Sequence, residues 1–272
     1  MISEKSWKSH IEQLKAEKPI KDLKKAVLDS IDPPKEKFGI AFSGGVDSSL
    51  ISFICKKKKA DFICYAVGIE NSTDIEAAKK AAKQLKIPLK YKIFTLEEAE
   101  NIIKKVIKLL NTTDIVKVGV GAVDYAVYIL AKEDNIEKFY TGLGSEEIFA
   151  GYERHIDAKN INKECWKGLK AMWERDLKRD LVIAEKLNIK YLTPFLDDEV
   201  IKAAMAIPGS KKINNYKKIP LRKLAEKLGL PKQIAWRKKQ AAQYGSKFDR
   251  AILRLARKNN FKYKKEYLKS LI

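Results

Sequence analysis

The sequence is poor in the residues that build disulfide frameworks and histidine-based metal sites. Its 272 residues include only three cysteines and two histidines. Cys55, Cys64 and Cys165 show no close pairing and no metal-ligand spacing, which predicts buried thiols in a reducing compartment. His10 and His155 are too few for a metal cluster. A disulfide scaffold is therefore excluded.

Long apolar runs are missing as well. No window approaches an uncharged apolar span of about 18 residues, which a membrane helix requires, and the first ten residues, MISEKSWKSH, lack the apolar region of a signal peptide. At about 150 residues per domain, the length allows one large domain or two small ones. We therefore expect a soluble, cytoplasmic protein without membrane contact.

Acidic residues are scarce in the C-terminal quarter. The whole chain has 56 Lys and Arg against 35 Asp and Glu, a net charge of +21. Residues 201–272 hold 21 basic and three acidic side chains, and so carry +18 of that charge. Two interpretations stay open: a solvated lysine surface, or a face that binds a polyanion such as nucleotide phosphates or RNA.

Short runs rich in β-branched and aromatic residues alternate with helical patterns. These runs lie at 37–42, 61–67 and 89–94, and a further strand and helix follow over 138–152. This alternation is typical of a parallel sheet. Asp47 and Asp74 are expected to cap the two helices between the first three strands. We predict an α/β fold: a parallel twisted sheet with helices on both faces and a helical C-terminal part.

The patterns divide the chain into three parts. Residues 1–36 are predicted as an N-terminal helical lead-in that ends at Pro33 and Pro34, because proline cannot continue a helix. Residues 37–250 form the main domain, in which strand patterns fade after about 160 apart from a short run, KYLTPFL. Residues 251–272 are predicted as a basic helical tail.

The most informative stretch follows the first predicted strand and precedes a helix. It reads Ser43, Gly44, Gly45, Val46, Asp47, Ser48, Ser49. Two glycines let backbone N–H groups face an anion, the hydroxyls donate to its oxygens, and the helix offers its positive end. An acid beside phosphates is explained if Asp47 binds Mg²⁺. The loop lacks the features of a Walker A motif and of a dinucleotide fingerprint.

SGGVDSS resembles the pyrophosphatase loop (PP-loop) of enzymes that cleave ATP between the α- and β-phosphates and adenylate a substrate. That loop is shared by synthetases of asparagine, NAD, GMP and argininosuccinate and by several tRNA-modifying enzymes. The resemblance implies ATP as substrate and an adenine nucleotide alpha-hydrolase-like fold for the main domain. By itself it leaves the other substrate open.

Four further segments resemble the synthetase domain of the asparagine synthetases and their β-lactam synthetase relatives. They span, with the loop, about residues 38–250, and occur in the family's order. They are A-V-G followed by S-T-D and its helix (66–85), T-G-L-G-S-E-E-I-F-A-G-Y (141–152), P-F-L-D (194–197) and W-R-K-K (236–239). The ordered set is more specific than any single motif.

The resemblance implies roles for individual residues. Asp47 and Glu146 would hold Mg²⁺, and Lys239 matches the lysine that faces the α-phosphate and the reacting acyl group, where a cation stabilises charge. Glu146 and Lys239 are the candidate catalytic residues. The candidate nucleotide-binding residues are Ser43, Gly44, Gly45, Asp47, Ser48 and Ser49 for the phosphates, with Gly142 and the backbone near Val67 and Gly68 for adenine and ribose.

The chain also departs from the family. Leu143 stands where asparagine synthetases have a glutamate proposed as a base, and Glu146 replaces an aspartate. The loop is reached by Ser43 in this sequence, so we expect the family's N-terminal glutaminase domain to be missing. Ammonia is therefore expected to arrive free or from a separate glutaminase subunit.

Three hypotheses remain. The first is an amide-forming ligase that adenylates a small-molecule carboxylate, with the aspartate side chain favoured, and transfers the acyl group to ammonia. The second is a PP-loop tRNA-modifying enzyme with RNA on the basic quarter; the paired cysteines of sulfur-transfer members are missing. The third is a non-catalytic ATP-binding partner protein, as Leu143 permits.

Overall fold

A computed structural model, which describes residues 3–272, contains one sheet of five parallel strands. Along the sheet the strands lie in the order β3-β2-β1-β4-β5. Phe38 and Gly39 of β1 stand opposite Phe62 of β2 and Phe139 of β4, respectively. The predicted parallel α/β class is confirmed. The strands are β1 (Phe38–Ala41), β2 (Phe62–Ile69), β3 (Leu89–Phe94), β4 (Lys138–Tyr140) and β5 (Lys190–Leu192).

Helices surround the sheet and form most of the C-terminal half. Up to β4 they are α1 (Glu4–Ala16), α2 (Leu23–Ser30), α3 (Val46–Lys57), α4 (Thr73–Leu85), α5 (Leu96–Leu110) and α6 (Ile115–Lys132). After β4 they are α7 (Ser145–Ile148), α8 (Ile161–Lys170), α9 (Lys178–Lys186), α10 (Asp198–Ala206), α11 (Ile219–Lys227), α12 (Lys232–Ala235), α13 (Ala242–Gly245), α14 (Phe248–Lys258) and α15 (Lys264–Lys269). A π-helical turn (Trp173–Leu177) precedes α9.

The sheet is buried on both faces, and each face has its own core. Alternate residues of a strand point to opposite faces, so β2 sends Phe62 and Cys64 into one apolar cluster and Tyr65 and Val67 into the other. Helices α1 to α4, α8 and α10 to α12 contribute to the first cluster. Helices α5, α6, α9, α14 and α15 contribute to the second. The expectation of helices on both faces is confirmed.

Both ends of the chain contribute to these cores. In α1, Trp7 is buried and its indole N–H donates to the Leu169 carbonyl at 3.0 Å. In α15, Tyr267 and Leu268 are buried in the second core. The three cysteines are free and buried, as expected. Within the part of the chain that the structure describes, no helix is long and apolar enough to cross a membrane.

The two expected helix caps are wrong. Asp47 and Asp74 do not cap their helices: the caps are Gly45 and Ser72, and each aspartate lies in the first helical turn. Ser72 accepts the Ile75 N–H through its hydroxyl, so Asp74 is not needed as a cap, whereas Gly45 begins α3 without a side-chain cap. The helical lead-in is two helices with a break between them at residues 17–22. That break contains Pro19, which removes a helical hydrogen bond.

Candidate functional site

The strand order reverses at β1, so the loops after β1 and β4 leave the sheet side by side. In open parallel sheets the crevice beyond such a reversal is the usual place for a ligand. The two loops touch: a Cβ added at Gly142, after β4, would lie 2.8 Å from the Cβ of Asp47, at the start of α3. Glycine at position 142 therefore allows this close approach of the two loops.

The loop after β1 has the shape of an anion cradle. Gly44 has a φ of +66°, which glycine adopts without strain. The Ser48 hydroxyl accepts the Ser43 N–H at 3.3 Å and donates to the Gly45 carbonyl at 3.4 Å. Ser49 Oγ is buried and has no hydrogen-bond partner among residues 3–272. An unpartnered buried hydroxyl is costly, and a phosphate oxygen would satisfy it.

Three charged side chains meet where the two loops touch. Lys218 Nζ lies 2.9 Å from each carboxylate oxygen of Asp47, 2.6 Å from Oε1 of Glu146 and 3.0 Å from the Ser145 hydroxyl. A Cβ added at Gly151 would lie 2.5 Å from Lys218 Cε and would overlap the Glu146 carboxylate. The missing side chain at Gly151 thus makes room for this cluster.

The ion pairs of the cluster outweigh the cost of its burial. Burial disfavours the Asp47 carboxylate, yet the Lys218 ammonium holds the pKa of Asp47 below its usual range. Burial also disfavours the ammonium, yet Asp47 and Glu146 raise the pKa of Lys218 above its usual range. Both groups are therefore ionised at neutral pH, with Lys218 only 6% exposed.

The acidic pair fits a magnesium ion that arrives with a nucleotide. Mg²⁺ in nucleotide sites is held by one or two carboxylates together with phosphate oxygens. Asp47 and Glu146 converge on one point, as their shared contact with Lys218 shows. Among the described residues, no group of three or more Asp, Glu, His or Cys side chains could hold a metal by itself. Phosphate oxygens would have to complete the coordination.

The C-terminal segment after α12 returns to the cradle. Arg237 donates to the Ser43 carbonyl at 2.9 Å and to the Gly44 carbonyl at 3.2 Å, and its guanidinium lies 3.3 Å from Asp74. The Lys239 side chain runs along the loop, with its Cδ 3.0 Å from a Cβ added at Gly45. The structure therefore brings Lys239 to the phosphate loop, although 190 or more residues separate them in sequence.

The expected nucleoside side of the site lies at the end of β2. A Cβ added at Gly68 would lie 2.5 Å from the Ser72 side chain and 3.0 Å from the Ser246 carbonyl. The Ser246 carbonyl accepts the Ile69 N–H at 2.8 Å. The side chain of Val67 is buried in the second core, so only its backbone could border a ligand.

A buried charged network lies behind the acidic pair. Glu147 is 1% exposed and pairs with Arg175; burial outweighs the effect of that arginine and raises the pKa of Glu147 to about 7. Arg175 also contacts Asp176 at 2.7 Å. The network continues through Arg179, Asp180, Asp124 and Tyr191.

Sequence reasoning missed two features of this site. Lys218 had no distinguishing signal in a lysine-rich chain, and the partner of Glu147, Arg175, lies outside every motif.

His155, which follows the acidic loop, is fully buried and accepts the Tyr152 N–H through Nδ1 at 3.1 Å. Burial lowers the pKa of His155 to about 4, and Arg154 adds to that effect, so this histidine is neutral at physiological pH.

Comparisons with known proteins find sequences similar to this chain. A protein-family model described as asparagine synthase matches residues 23–192 and 157–267. Asparagine synthetase B [glutamine-hydrolyzing] of Escherichia coli is 30% identical, over 80% of this chain and 44% of that protein. A Methanocaldococcus jannaschii protein provisionally named asparagine synthetase [glutamine-hydrolyzing] 1 is 34% identical, over 85% of this chain and 49% of that protein.

The chain spans about half the length of these two curated relatives. Among solved structures, an NMN synthetase from Francisella tularensis is similar with a TM-score of 0.41 and 13% identity. That similarity covers 100% of this chain and 93% of the other.

Proposed function

The chain belongs to the asparagine synthase family, and on that premise we propose that it is an ATP-dependent ligase that activates a carboxylate as its adenylate. A carboxylate oxygen attacks the α-phosphorus of ATP, and the bond to the β-phosphate oxygen breaks with release of pyrophosphate. An amine then attacks the acyl carbon, AMP leaves, and the amine loses a proton. The products are an amide, AMP and pyrophosphate.

The residues of the site would contribute position and charge. The N–H groups and hydroxyls of the Ser43–Ser49 loop would bind the pyrophosphate portion, as the unpartnered Ser49 hydroxyl suggests. Lys239 would stabilise the charge that builds up at the α-phosphate. Asp47 and Glu146 would hold Mg²⁺, which would offset charge on the phosphates.

One observation supports the proposal most directly. Lys239 and Arg237, from the C-terminal half, lie against the same loop that carries Asp47, and Asp47 meets Glu146 through their shared contact with Lys218. A loop of glycines and hydroxyls, with a cation and two carboxylates close to it, suits a nucleotide that carries Mg²⁺ and loses pyrophosphate.

The second substrate is proposed from the family. The favoured carboxylate is the side chain of aspartate, with ammonia as the amine, supplied free or by a separate glutaminase subunit. Leu143 lies where a family glutamate would act on the incoming amine, and its side chain packs partly buried against the first core. Since Leu143 cannot take up a proton, the amine would have to lose its proton to solvent or to another group.

Pyrophosphate release tests the proposal. Purified protein with ATP, Mg²⁺, aspartate and ammonium is expected to release pyrophosphate and form asparagine. Aspartate-dependent pyrophosphate without asparagine would point to a different amine, and no pyrophosphate would count against aspartate as the carboxylate. Asp47→Ala is expected to weaken binding of Mg²⁺ and ATP, because one of two converging carboxylates is removed. Unchanged ATP affinity in Asp47→Ala would contradict the assignment of the loop.

Two alternatives predict other outcomes. Pyrophosphate release that requires tRNA would favour the tRNA-modifying enzyme, whose basic quarter so far has charge alone to support it. Binding of ATP without turnover under any condition would favour the non-catalytic protein, the alternative that Leu143 permits.

A further inference from the structure

Lys218 is held more tightly than an ordinary surface lysine. Its ammonium has three N–H donors, and these face four acceptor oxygens, from Asp47, Glu146 and Ser145, at 2.6 to 3.0 Å. Its backbone conformation is also fixed, because Lys218 is the N-cap of α11 and has a φ of +58°. Arg222, in the first turn of α11, also fixes the start of this helix, because its guanidinium donates to the Lys217 carbonyl at 2.8 Å.

The ammonium lies where a divalent cation bound to both carboxylates would lie. Mg²⁺ shared by Asp47 and Glu146 needs oxygens at about 2.1 Å, and those oxygens already surround Lys218 Nζ. A dication and an ammonium cannot share this point, because they would compete for the same oxygens and repel each other. The ammonium must therefore leave before the metal binds.

We propose that Lys218 is a tethered cation that occupies the metal position between Asp47 and Glu146 until a nucleotide is bound. Phosphate oxygens in the adjoining cradle then offer the ammonium a new partner, and the carboxylates become available to the metal. This inference rests on the proposed role of Asp47 and Glu146 as metal ligands. It predicts that the free protein binds divalent cations poorly and that nucleotide and metal bind cooperatively.

Binding of Mn²⁺ to the nucleotide-free protein, followed by the EPR signal of free Mn²⁺, tests the proposal. Lys218→Met removes the charge and keeps an apolar chain of similar length. We expect it to bind Mn²⁺ at least about tenfold more tightly than the unchanged protein, because a competing positive charge is gone. The double variant Asp47→Asn with Lys218→Met is expected to lose this gain, which would locate the ion at the acidic pair.

Lys217→Met is the matched control. Lys217 is the adjacent residue, carries the same charge and pairs with Glu153 at the surface, so its variant should bind Mn²⁺ like the unchanged protein. Equal Mn²⁺ affinity in the Lys218 and Lys217 variants would overturn the proposal. So would tight Mn²⁺ binding by the unchanged protein without nucleotide.

Two further measurements keep the test decisive. If Lys218→Met is destabilised by its unpaired carboxylates, Mn²⁺ should raise its melting temperature more than that of Lys217→Met. No such difference would count against the proposal. Binding of α,β-methylene-ATP to the unchanged protein is measured separately: its absence would refute the proposed ligase function, whereas the comparison of Mn²⁺ affinities would still decide the role of Lys218.

Discussion

At the scale of single residues, two neighbouring lysines of the C-terminal segment have different surroundings. Lys239 runs along the phosphate loop beside Gly45. Lys238 turns away, and its Nζ lies 5.3 Å from the ring centroid of Tyr216. Of the two, only Lys239 lies against the loop, so variants of the two lysines remove the same charge at adjacent positions and test its place.

Lys239→Met is expected to slow ATP-dependent pyrophosphate release by about 10²- to 10³-fold, because one preorganised charge is lost at the reacting phosphate. ATP affinity should change far less, since the loop N–H groups and hydroxyls remain. Lys238→Met serves as the control and should keep a near-normal rate. Equal rates in the two variants would show that Lys239 does not face the reaction.

At the scale of elements, the turn of α7 (Ser145–Ile148) and the π-helical turn before α9 are joined by buried charges. Glu147 on the first pairs with Arg175 on the second. Tyr152 adds an aromatic face, with the Arg175 guanidinium 5.2 Å from its ring centroid. The raised pKa of Glu147, about 7, makes this junction sensitive to pH.

The direction in which stability changes with pH follows from the protons that the folded and unfolded states bind. A carboxyl whose pKa is raised by folding binds more protons when folded, so its contribution to stability declines as pH rises from the unfolded pKa through the folded pKa and is lost about one unit above it. His155 has a lowered pKa, about 4, and opposes this trend below its usual value of about 6.5. Burial lowers the pKa of Lys212 to about 8, so this lysine opposes the decline in stability above about pH 8. The decline should therefore be visible between about pH 6.5 and 8.

We expect the free energy of unfolding to fall by about 1 kcal/mol over that window from Glu147 alone. The raised pKa of the Asp124 carboxyl, which burial and the neighbouring Asp180 cause, acts in the same direction. Glu147→Gln should flatten the profile, because it removes the titrating group while Arg175 keeps Asp176 as a partner. Denaturant melts at several pH values would measure this; an unchanged slope in Glu147→Gln would contradict the assignment.

At the scale of the whole molecule, some of the basic side chains of residues 201–272 make contacts inside the fold. Arg222 is buried and donates to the Ala235 carbonyl at 2.7 Å, Arg237 holds the phosphate loop, and Lys218 holds the acidic pair. The aromatic and basic segment near the C-terminus forms α15, which packs Tyr267 and Leu268 into the second core. At least three of the 21 basic side chains of residues 201–272 therefore make contacts inside the fold that do not require RNA.

The N-terminal helices belong to the same folded unit by their contacts. Trp7→Ala is expected to destabilise the protein by about 3 to 5 kcal/mol, because a buried indole and its hydrogen bond to Leu169 are lost. ATP affinity well below the melting temperature should be unchanged, since Trp7 lies on another part of the first core. Lys15→Ala, an exposed position of the same helix, is the control and should melt like the unchanged protein. A small loss of stability in Trp7→Ala would show that α1 is a separable appendage.

Local sequence patterns were enough to predict the parallel α/β class and the glycine- and hydroxyl-rich loop between β1 and α3. Each of these depends on residues that are close in the chain: alternation along strands, and glycines and hydroxyls between a strand and a helix. The division into three parts and the assigned roles of the site residues remain predictions. The caps of α3 and α4 could not be chosen from residue type alone, because Gly45 and Ser72 compete with Asp47 and Asp74 within one turn.

Which charged side chains meet could be seen only once the whole chain was folded. Lys218 lies 171 positions from Asp47 and is one of 48 lysines, and nothing local separates it from Lys217. It reaches the acidic pair because the loops after β1 and β4 adjoin and because Gly142 and Gly151 leave space there. Such long-range contacts depend on how the whole chain packs, whereas the cradle depends on seven consecutive residues.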